Sequence, residues 1–163
     1  MNLYREGAKT CSGKCRVRLS RQKLPIILTS RARWVRHDVA KRPLAVGGGM
    51  ASSTDPATWS TYEDARKSDR GTGLGFVLNG DGVACVDLDG VLSGGALDPR
   101  AAEFLASLDS FYVEVSPSGS GIHAWVFGGS PDGRKVFTLD SGLKVEWYSD
   151  ARYLTVTGKR FFK

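Results

Sequence analysis

An apolar run that ends in two acidic residues lies near the middle of the chain, Val83-Ala84-Cys85-Val86-Asp87-Leu88-Asp89. Its small and β-branched residues predict a buried strand. Because side chains alternate along a strand, Asp87 and Asp89 should point to one face, roughly 6–7 Å apart. Carboxylates that close repel each other unless one is protonated or a cation lies between them. The pair is therefore a candidate site for Mg²⁺ or Mn²⁺; the alternative is a strand end followed by a turn.

Further strands and two helices are predicted around this run. The strands are short, rich in β-branched and aromatic residues, and bounded by Gly, Asp, Ser or Asn. They are Leu74–Leu78, Val83–Leu88, Phe111–Val115, Ile122–Phe127, Leu143–Trp147 and Tyr153–Val156. The turn Asn79-Gly80-Asp81-Gly82 predicts a hairpin between the first two. Helices are predicted from Asp55-Pro56 to near Gly71 and from Asp98-Pro99 onward. Together they predict an α+β domain with a mostly antiparallel sheet and helices packed on it.

The composition is typical of one folded domain. Of the 163 residues, 41% are apolar and 25% are charged, which allows a sizeable core and argues against a wholly disordered chain. No stretch approaches the roughly 18–20 apolar residues of a membrane span, and no apolar signal segment follows the charged N-terminus. Three cysteines, Cys11, Cys15 and Cys85, are too few for a disulfide framework. We therefore expect a cytoplasmic protein with no membrane partner.

Positive charge is concentrated at the N-terminal end. The formal net charge is +6, yet residues 1–45 hold 12 Lys or Arg against only Glu6 and Asp38. Such a cluster gains from releasing the counterions of a polyanion; a solvated leader is the alternative. Because Pro25 would interrupt a helix in this segment, we predict a basic arm over residues 1–30 and a folded domain over residues 31–163.

Part of a metal motif lies within the predicted arm. The sequence Thr10-Cys11-Ser12-Gly13-Lys14-Cys15-Arg16 is similar to the second half of a small zinc ribbon. A structural zinc site needs four ligands, whereas this segment supplies two cysteines, and His37 is predicted to end a strand. We expect a remnant of a ribbon that does not bind zinc.

A loop of small residues leads directly into another predicted strand. In Ser116-Pro117-Ser118-Gly119-Ser120-Gly121-Ile122-His123, the glycines and serines allow backbone N–H groups to approach a phosphate closely. His123 could then donate to a phosphate oxygen. The alternative is a flexible turn, with His123 satisfied inside the sheet.

A third acidic residue and several cations follow near the C-terminal end. Glu146 lies between Val145 and Trp147 and so faces away from both, either toward water or toward Asp87 and Asp89. The following segment, residues 152–160, offers Arg, Lys and Thr side chains suited to a triphosphate. Carboxylates for metal, a histidine, a small-residue loop and basic groups are the components of phosphoryl or nucleotidyl transfer.

The order of these motifs resembles the primase-polymerase domain of the archaeo-eukaryotic primase superfamily, in the form found in phage and plasmid replication proteins. The motifs that carry the resemblance are Gly75-Phe76-Val77, Val86-Asp87-Leu88-Asp89, Ser116–His123, Val145-Glu146-Trp147-Tyr148 and Arg152–Gly158. Lys41-Arg42-Pro43 and the following Gly-rich stretch are similar to the N-terminal module of that family. The resemblance covers about residues 33–160. It implies an RNA-recognition-like sheet that bears the active site, plus a small N-terminal α/β module.

The resemblance also implies roles for individual residues. Asp87 and Asp89 would bind the catalytic metal ions, Glu146 would complete the carboxylate set, and His123 would contact the phosphates of the incoming nucleotide. The remaining nucleotide-binding candidates are Ser118, Gly119, Ser120, Gly121, Arg152, Thr155, Thr157 and Lys41.

These inferences predict a metal-dependent DNA primase-polymerase of phage or plasmid replication. Its partners would be template and primer DNA, nucleoside triphosphates and a separate replicative helicase, in the host cytoplasm if the gene is phage-borne. Primer extension is a safer expectation than de novo priming, because the chain ends soon after the last motif. Two alternatives remain open: a single-stranded nucleic-acid-binding module without catalysis, and an Asp-x-Asp glycosyltransferase that uses a nucleotide-sugar.

Overall fold

The fold consists mainly of two antiparallel sheets, packed against each other through buried aromatic residues, together with a short two-stranded hairpin. The computed structural model describes residues 24–161. The helices are α1 (Ile26–Thr29), α2 (Tyr62–Lys67) and α3 (Pro99–Ser107), with a 3-10 helix at Pro56–Thr58. The strands are β1 (Trp34–His37), β2 (Pro43–Leu44), β3 (Gly73–Leu78), β4 (Val83–Leu88), β5 (Leu92–Ser93), β6 (Ala96–Leu97), β7 (Ser110–Val115), β8 (Ile122–Phe127), β9 (Val136–Thr138), β10 (Lys144–Tyr148) and β11 (Arg152–Val156). The predicted α+β class is confirmed.

The larger sheet has five strands in the order β7-β8-β4-β10-β9, and every neighbouring pair is antiparallel. The chain passes from β4 through α3 to β7 and then to β8, which is the beginning of a split β-α-β arrangement. Within the described residues, no second helix follows β8, and a loop and β9 lead to β10 instead. The central position of β4 places both β8 and β10 beside Asp87.

The two faces of this sheet have different neighbours. On one face, Val86, Leu88 and Ala124 pack with Ala101 and Leu105 of α3 in a core from which water is excluded. On the other face, Cys85 and Trp125 pack with residues of the smaller sheet. Because Asp87 follows Cys85 by two positions, its side chain lies on this second face.

The smaller sheet joins both ends of the described chain. Its strand order is β11-β3-β1-β2, and β11 pairs with β3 in a register that sets Leu154 opposite Phe76. The Phe76 ring meets the edge of Trp125 at a centroid distance of 5.7 Å. The sheet of the predicted N-terminal module therefore includes β11, a strand from the C-terminal motif Arg152–Gly158.

The predicted hairpin at Asn79–Gly82 is wrong. Gly80 and Gly82 have positive φ values of 81° and 96°, so the chain turns here as expected. However, β3 pairs with β1 and β11, whereas β4 pairs with β8 and β10. The turn therefore passes from one sheet to the other. Arg31 and Arg33 form ion pairs with Asp81 at 3.0 and 2.9 Å, which fixes the turn beside β1 instead of at the tip of a hairpin.

The predicted helix from Asp55 to near Gly71 is interrupted. Asp55 caps only the 3-10 turn, after which the chain extends and Ser60 exchanges backbone hydrogen bonds with Trp34. Thr61 then caps a second start, α2, by accepting from the backbone N–H of Asp64. The helix predicted from Asp98-Pro99 is confirmed as α3, with Asp98 as its N-cap.

The predicted arm extends largely beyond the described residues, and so do Cys11 and Cys15. At the C-terminal end of that predicted segment, Leu28 of α1 is fully buried, and its carbonyl accepts a hydrogen bond of 3.1 Å from the Trp34 indole. Cys85 is buried, as expected for a small apolar residue. None of the helices among residues 24–161 has the length and apolar character needed to cross a bilayer.

Candidate active site

A cavity of about 390 Å³ is lined by residues from both sheets and their loops. From the larger sheet and its loops, Asp87, Asp89, Ser116 and His123 line it. From the opposite side come Lys41, Ser53, Ala151, Arg152, Tyr153, Leu154 and Thr155. The cavity therefore brings acidic groups and a histidine from one sheet to face cations and hydroxyls from the other.

Strand register accounts for the acidic side. Asp87 of β4 lies opposite His123 of β8 on one flank and opposite Glu146 of β10 on the other. Directly opposed residues share a face of the sheet, so all three side chains lie on the face that meets the smaller sheet. Asp89 follows the end of β4, and Gly90 turns the chain there with a φ of 67°. The structure thus brings Asp87, Asp89 and His123 together at the cavity.

Asp87 is the partly buried carboxylate of the site. Its Oδ1 atom is buried and has no hydrogen-bond partner among the described residues, although His123 Nε2 lies 3.7 Å away. Burial raises the pKa of Asp87; the neighbouring His123 opposes this, whereas Asp89 and Glu146 add to it. A buried anionic oxygen without a partner is energetically costly, so this atom is suited to a cation.

Glu146 faces Asp87, but its oxygens are already engaged. Lys144 Nζ lies 2.6 Å from Oε1, and the Tyr148 hydroxyl donates to Oε2 at 2.7 Å. These two hydrogen bonds hold the pKa of Glu146 below its usual value. The Arg152 guanidinium stacks 4.5 Å from the centre of the Tyr148 ring. Glu146 does not line the cavity, although it shares a sheet face with Asp87.

No ready-made cluster of three His, Cys, Asp or Glu ligands is found within residues 24–161. The carboxylates nevertheless fit Mg²⁺ or Mn²⁺, because such ions are commonly held by one or two carboxylates together with water and substrate phosphates. The unpartnered Oδ1 of Asp87 and the adjacent Asp89 supply that number of ligands. The binding of Glu146 to a shared ion remains a prediction and would require its release from Lys144.

The loop of residues 116–121 lies beside the cavity. Of these residues, only Ser116 lines it. Ser116 Oγ and Ser118 Oγ are 3.0 Å apart, as are Ser118 Oγ and Ser120 Oγ. A Cβ on Gly121 would lie 2.9 Å from the carbonyl oxygen of Leu88, so the strand tolerates no larger residue there. The cavity is not lined by Ser118, Gly119, Ser120 or Gly121, which remain predicted phosphate ligands.

The cationic side of the cavity depends on contacts within the smaller sheet. Lys41 has a positive φ of 60°, and the Tyr153 hydroxyl donates to its carbonyl oxygen. Arg152 and Thr155 line the cavity, and their contact with a nucleotide stays a prediction. Thr157 does not line it; its hydroxyl donates to the Val115 carbonyl oxygen at 2.6 Å.

Glu114 is a functional candidate that sequence reasoning missed. It is fully buried in β7, and its Oε1 lies 3.3 Å from His123 Nδ1. An acidic residue inside the apolar run Phe111–Val115 was the available signal. Alternation from Tyr112 places its side chain on an inward face.

Paired carboxylates and a histidine opposite cations are groups that phosphoryl transfer uses to position and stabilise phosphates. No family model matches the chain. It is 40% identical over 121 residues to the DNA Primase-polymerase of Nitratiruptor phage NrS-1, an alignment that covers 70% of this chain. The chain therefore belongs to the phage type of primase-polymerase domain, which confirms the resemblance inferred from its motifs. It spans 17% of the length of that relative.

Proposed function

We propose that this chain is the nucleotidyl-transfer part of a DNA primase-polymerase that acts in phage DNA replication in the host cytoplasm. The observation that carries the proposal is the buried, unpartnered Oδ1 of Asp87, which lies beside Asp89 and His123 at a cavity with Lys41 and Arg152 opposite. The similarity to a phage DNA Primase-polymerase supports the same activity.

The proposed metal ligands are Asp87 and Asp89, with Glu146 as a third. When bound, Mg²⁺ or Mn²⁺ would lower the pKa of a primer 3′-hydroxyl and neutralise charge on the triphosphate. The chain's own contribution is to hold two carboxylates at the cavity, the partly buried Asp87 and the exposed Asp89. Burial raises the pKa of Asp87 and so disfavours its bare anion, and a cation at the unpartnered Oδ1 would compensate the buried charge.

The proposed triphosphate ligands are the cations and donors around the same cavity. Lys41 and Arg152 approach from the smaller sheet, and Thr155 lines the same cavity. His123 presents a ring nitrogen from the larger sheet. Donors fixed before the reaction stabilise charge as it moves toward the leaving pyrophosphate. Ser118, Gly119, Ser120, Gly121 and Thr157 are proposed to support this group from the adjoining loops.

Template and primer DNA are the proposed macromolecular substrates. The excess of Lys and Arg in residues 1–45 favours contacts with DNA phosphates that are independent of base sequence. Because such contacts release counterions, binding should weaken steeply as salt rises. A separate replicative helicase is the proposed partner for opening duplex DNA.

Primer extension tests the proposal directly. A primed DNA template is incubated with nucleoside triphosphates and Mn²⁺ or Mg²⁺, and product length is measured for wild type, Asp87→Ala and Asp140→Ala. Asp140 is an exposed turn residue and controls for the loss of one negative charge. We expect Asp87→Ala to reduce extension at least about 100-fold, corresponding to several kcal/mol of transition-state stabilisation. The control should extend normally.

The remaining outcomes separate the alternative functions. Salt-sensitive binding to single-stranded DNA without extension by wild type would identify a non-catalytic binding module. Turnover of a nucleotide-sugar without any dependence on DNA would identify a glycosyltransferase. Extension that persists in Asp87→Ala would exclude the proposed metal site.

A further inference from the structure

A fully buried carboxylate lies directly behind the cavity. Glu114 has no solvent-exposed surface. Its Oε2 accepts hydrogen bonds from the backbone N–H groups of Thr157 at 3.1 Å and Gly158 at 2.9 Å, and from the Tyr112 hydroxyl at 3.2 Å. Its Oε1 lies 3.3 Å from His123 Nδ1. Burying a carboxylate is costly unless donors surround it, and here donors from three chain segments do so.

The contact with His123 determines which ring nitrogen is available to a ligand. A carboxylate can only accept a hydrogen bond, so the hydrogen of this contact is assigned to Nδ1. Nε2 is left on the side of Asp87, 3.7 Å from Oδ1. Because the His123 side chain is itself only 3% exposed, the ring has little freedom to turn over. Glu114 thereby sets both the orientation and the tautomer of a cavity-lining histidine.

The same carboxylate also secures the opposite side of the cavity. Thr157 and Gly158 directly follow β11, which carries Arg152 and Thr155 into the cavity. Burial, together with the negative charge of Glu114, raises the pKa of Tyr112, so its hydroxyl remains a donor to the carboxylate. One side chain of the larger sheet therefore fixes a histidine and the end of a strand from the smaller sheet.

We propose that Glu114 is a positioning residue for nucleotidyl transfer: it accepts the Nδ1 hydrogen of His123 and fixes the ring with Nε2 toward the cavity. With its negative charge on the Nδ1 side, Glu114 also favours the doubly protonated ring, whose Nε2–H donates to a phosphate oxygen of the incoming nucleotide. The catalytic role in this inference rests on the proposed function. The contact between Glu114 and His123 can be tested without any activity.

The variant Glu114→Gln offers a sharp test because it preserves shape but replaces one acceptor oxygen with a donor. Three donors converge on Oε2, so the glutamine carbonyl should take that place and its NH₂ group should face His123. Nδ1 must then accept, and the hydrogen should move to Nε2. The readout is the ¹⁵N chemical shifts of the imidazole nitrogens in metal-free protein without DNA.

The chain has only two histidines, which makes this measurement simple to interpret. His37 Nδ1 contacts the Asp38 carbonyl oxygen at 2.9 Å, so its signals should be the same in both proteins. A His123→Ala variant assigns the other set. Wild-type His123 with a bare Nδ1, or identical His123 signals in wild type and Glu114→Gln, would overturn the proposal. The wild-type spectrum alone decides the matter if the variant does not fold.

Activity provides the second test. We expect Glu114→Gln to lower kcat/KM for the nucleotide in primer extension at least about 10-fold, as is common for residues that orient a ligand-binding histidine. In a His123→Ala background, Glu114→Gln should lower kcat/KM less than about twofold. An effect of Glu114 that is transmitted through His123 cannot operate once His123 has been removed. Glu103→Gln, an exposed residue of α3, is the matched control.

Equal losses in both backgrounds would show that Glu114 acts independently of His123 and would reject the positioning role. Absence of extension by wild type would instead refute the proposed function, and the tautomer measurement would still decide the contact.

Discussion

Lys144 and Glu146 form an ion pair of 2.6 Å on the face of β10 that lies against Asp87. The Lys144 ammonium therefore neutralises the Glu146 carboxylate, which would otherwise be available to a divalent ion. Lys144 is well exposed, and its pKa is raised by the hydrogen bond to Glu146. An exposed pair of this kind is weak enough to exchange for a stronger ligand.

We expect Lys144→Met to strengthen binding of Mn²⁺, since Glu146 would become free to join Asp87 and Asp89. The gain should be up to about fivefold in the dissociation constant, the value of one exposed ion pair. Titration of Mn²⁺ followed by electron paramagnetic resonance measures it. Lys135→Met, which breaks an exposed pair with Asp150, is the control. Weaker Mn²⁺ binding by Lys144→Met would mean that the lysine assists the site.

Mn²⁺ should stabilise the folded protein through Asp87. At a concentration 100 times the dissociation constant, one bound ion adds about 2.7 kcal/mol to the free energy of unfolding. Asp87→Asn should abolish that gain, as measured by thermal unfolding with and without Mn²⁺. An equal Mn²⁺ response of the two proteins would place the ion elsewhere.

Without metal, the same substitution should raise the free energy of unfolding at pH 7. Burial raises the folded-state pKa of Asp87, so the carboxyl favours folding below its unfolded pKa and this contribution is lost as pH rises through the folded pKa. Asparagine does not ionise, so Asp87→Asn removes the destabilising charge that Asp87 carries above its folded-state pKa. Denaturant unfolding at pH 7 in the presence of a chelator measures the change, and a clear decrease in stability would contradict the assignment.

Gly75→Ala should destabilise the protein and disturb the cationic side of the cavity. A Cβ at this position would lie 2.6 Å from the Tyr153 ring, and Tyr153 cannot move freely because its hydroxyl holds the Lys41 carbonyl. The expected loss is about 1–3 kcal/mol in the free energy of unfolding. Gly47→Ala is the control, since nothing lies within 4 Å of its Cβ position. Equal denaturation midpoints for the two variants would disprove the crowding.

Asp98→Ala should lower the melting temperature at neutral pH by removing the cap of α3. Hydrogen bonds from the Arg100 side chain and backbone lower the pKa of Asp98 to about 2. A lowered folded-state pKa stabilises the fold above the unfolded pKa, and this contribution disappears as pH falls toward the folded value. The melting-temperature difference from wild type should thus shrink between about pH 4 and pH 2. Asp109→Ala, another exposed aspartate near α3, controls for the loss of one negative charge. A melting-temperature difference for Asp98→Ala that stays constant over this range would contradict the capping role.

Local patterns predicted the strands of the site well. Val83–Leu88 and Ile122–Phe127 have the predicted bounds, because buried apolar runs with turn residues on both sides leave few alternatives. The α3 start followed from its cap and proline. Alternation also placed Asp87 and Glu146 correctly relative to their own strands.

Long-range pairing was not predictable from the same patterns. Positive-φ glycines at Gly80 and Gly82 indicate a turn, but they do not specify whether the flanking strands pair with each other. Neither the register of Glu146 opposite Asp87 nor the hydrogen bonds of Glu114 to Thr157 and Gly158 can be derived from local sequence. These contacts depend on how the two sheets pack.

The pairing of β11 with β3 has a consequence for the order of synthesis and folding. A ribosome-bound chain that ends before Arg152 would already contain every acidic residue of the site and Glu114. It would still lack the strand that brings Arg152 and Thr155 to the cavity. Because β11 forms part of the cavity wall, the nascent polypeptide should gain affinity for triphosphates only after β11 has emerged and paired with β3.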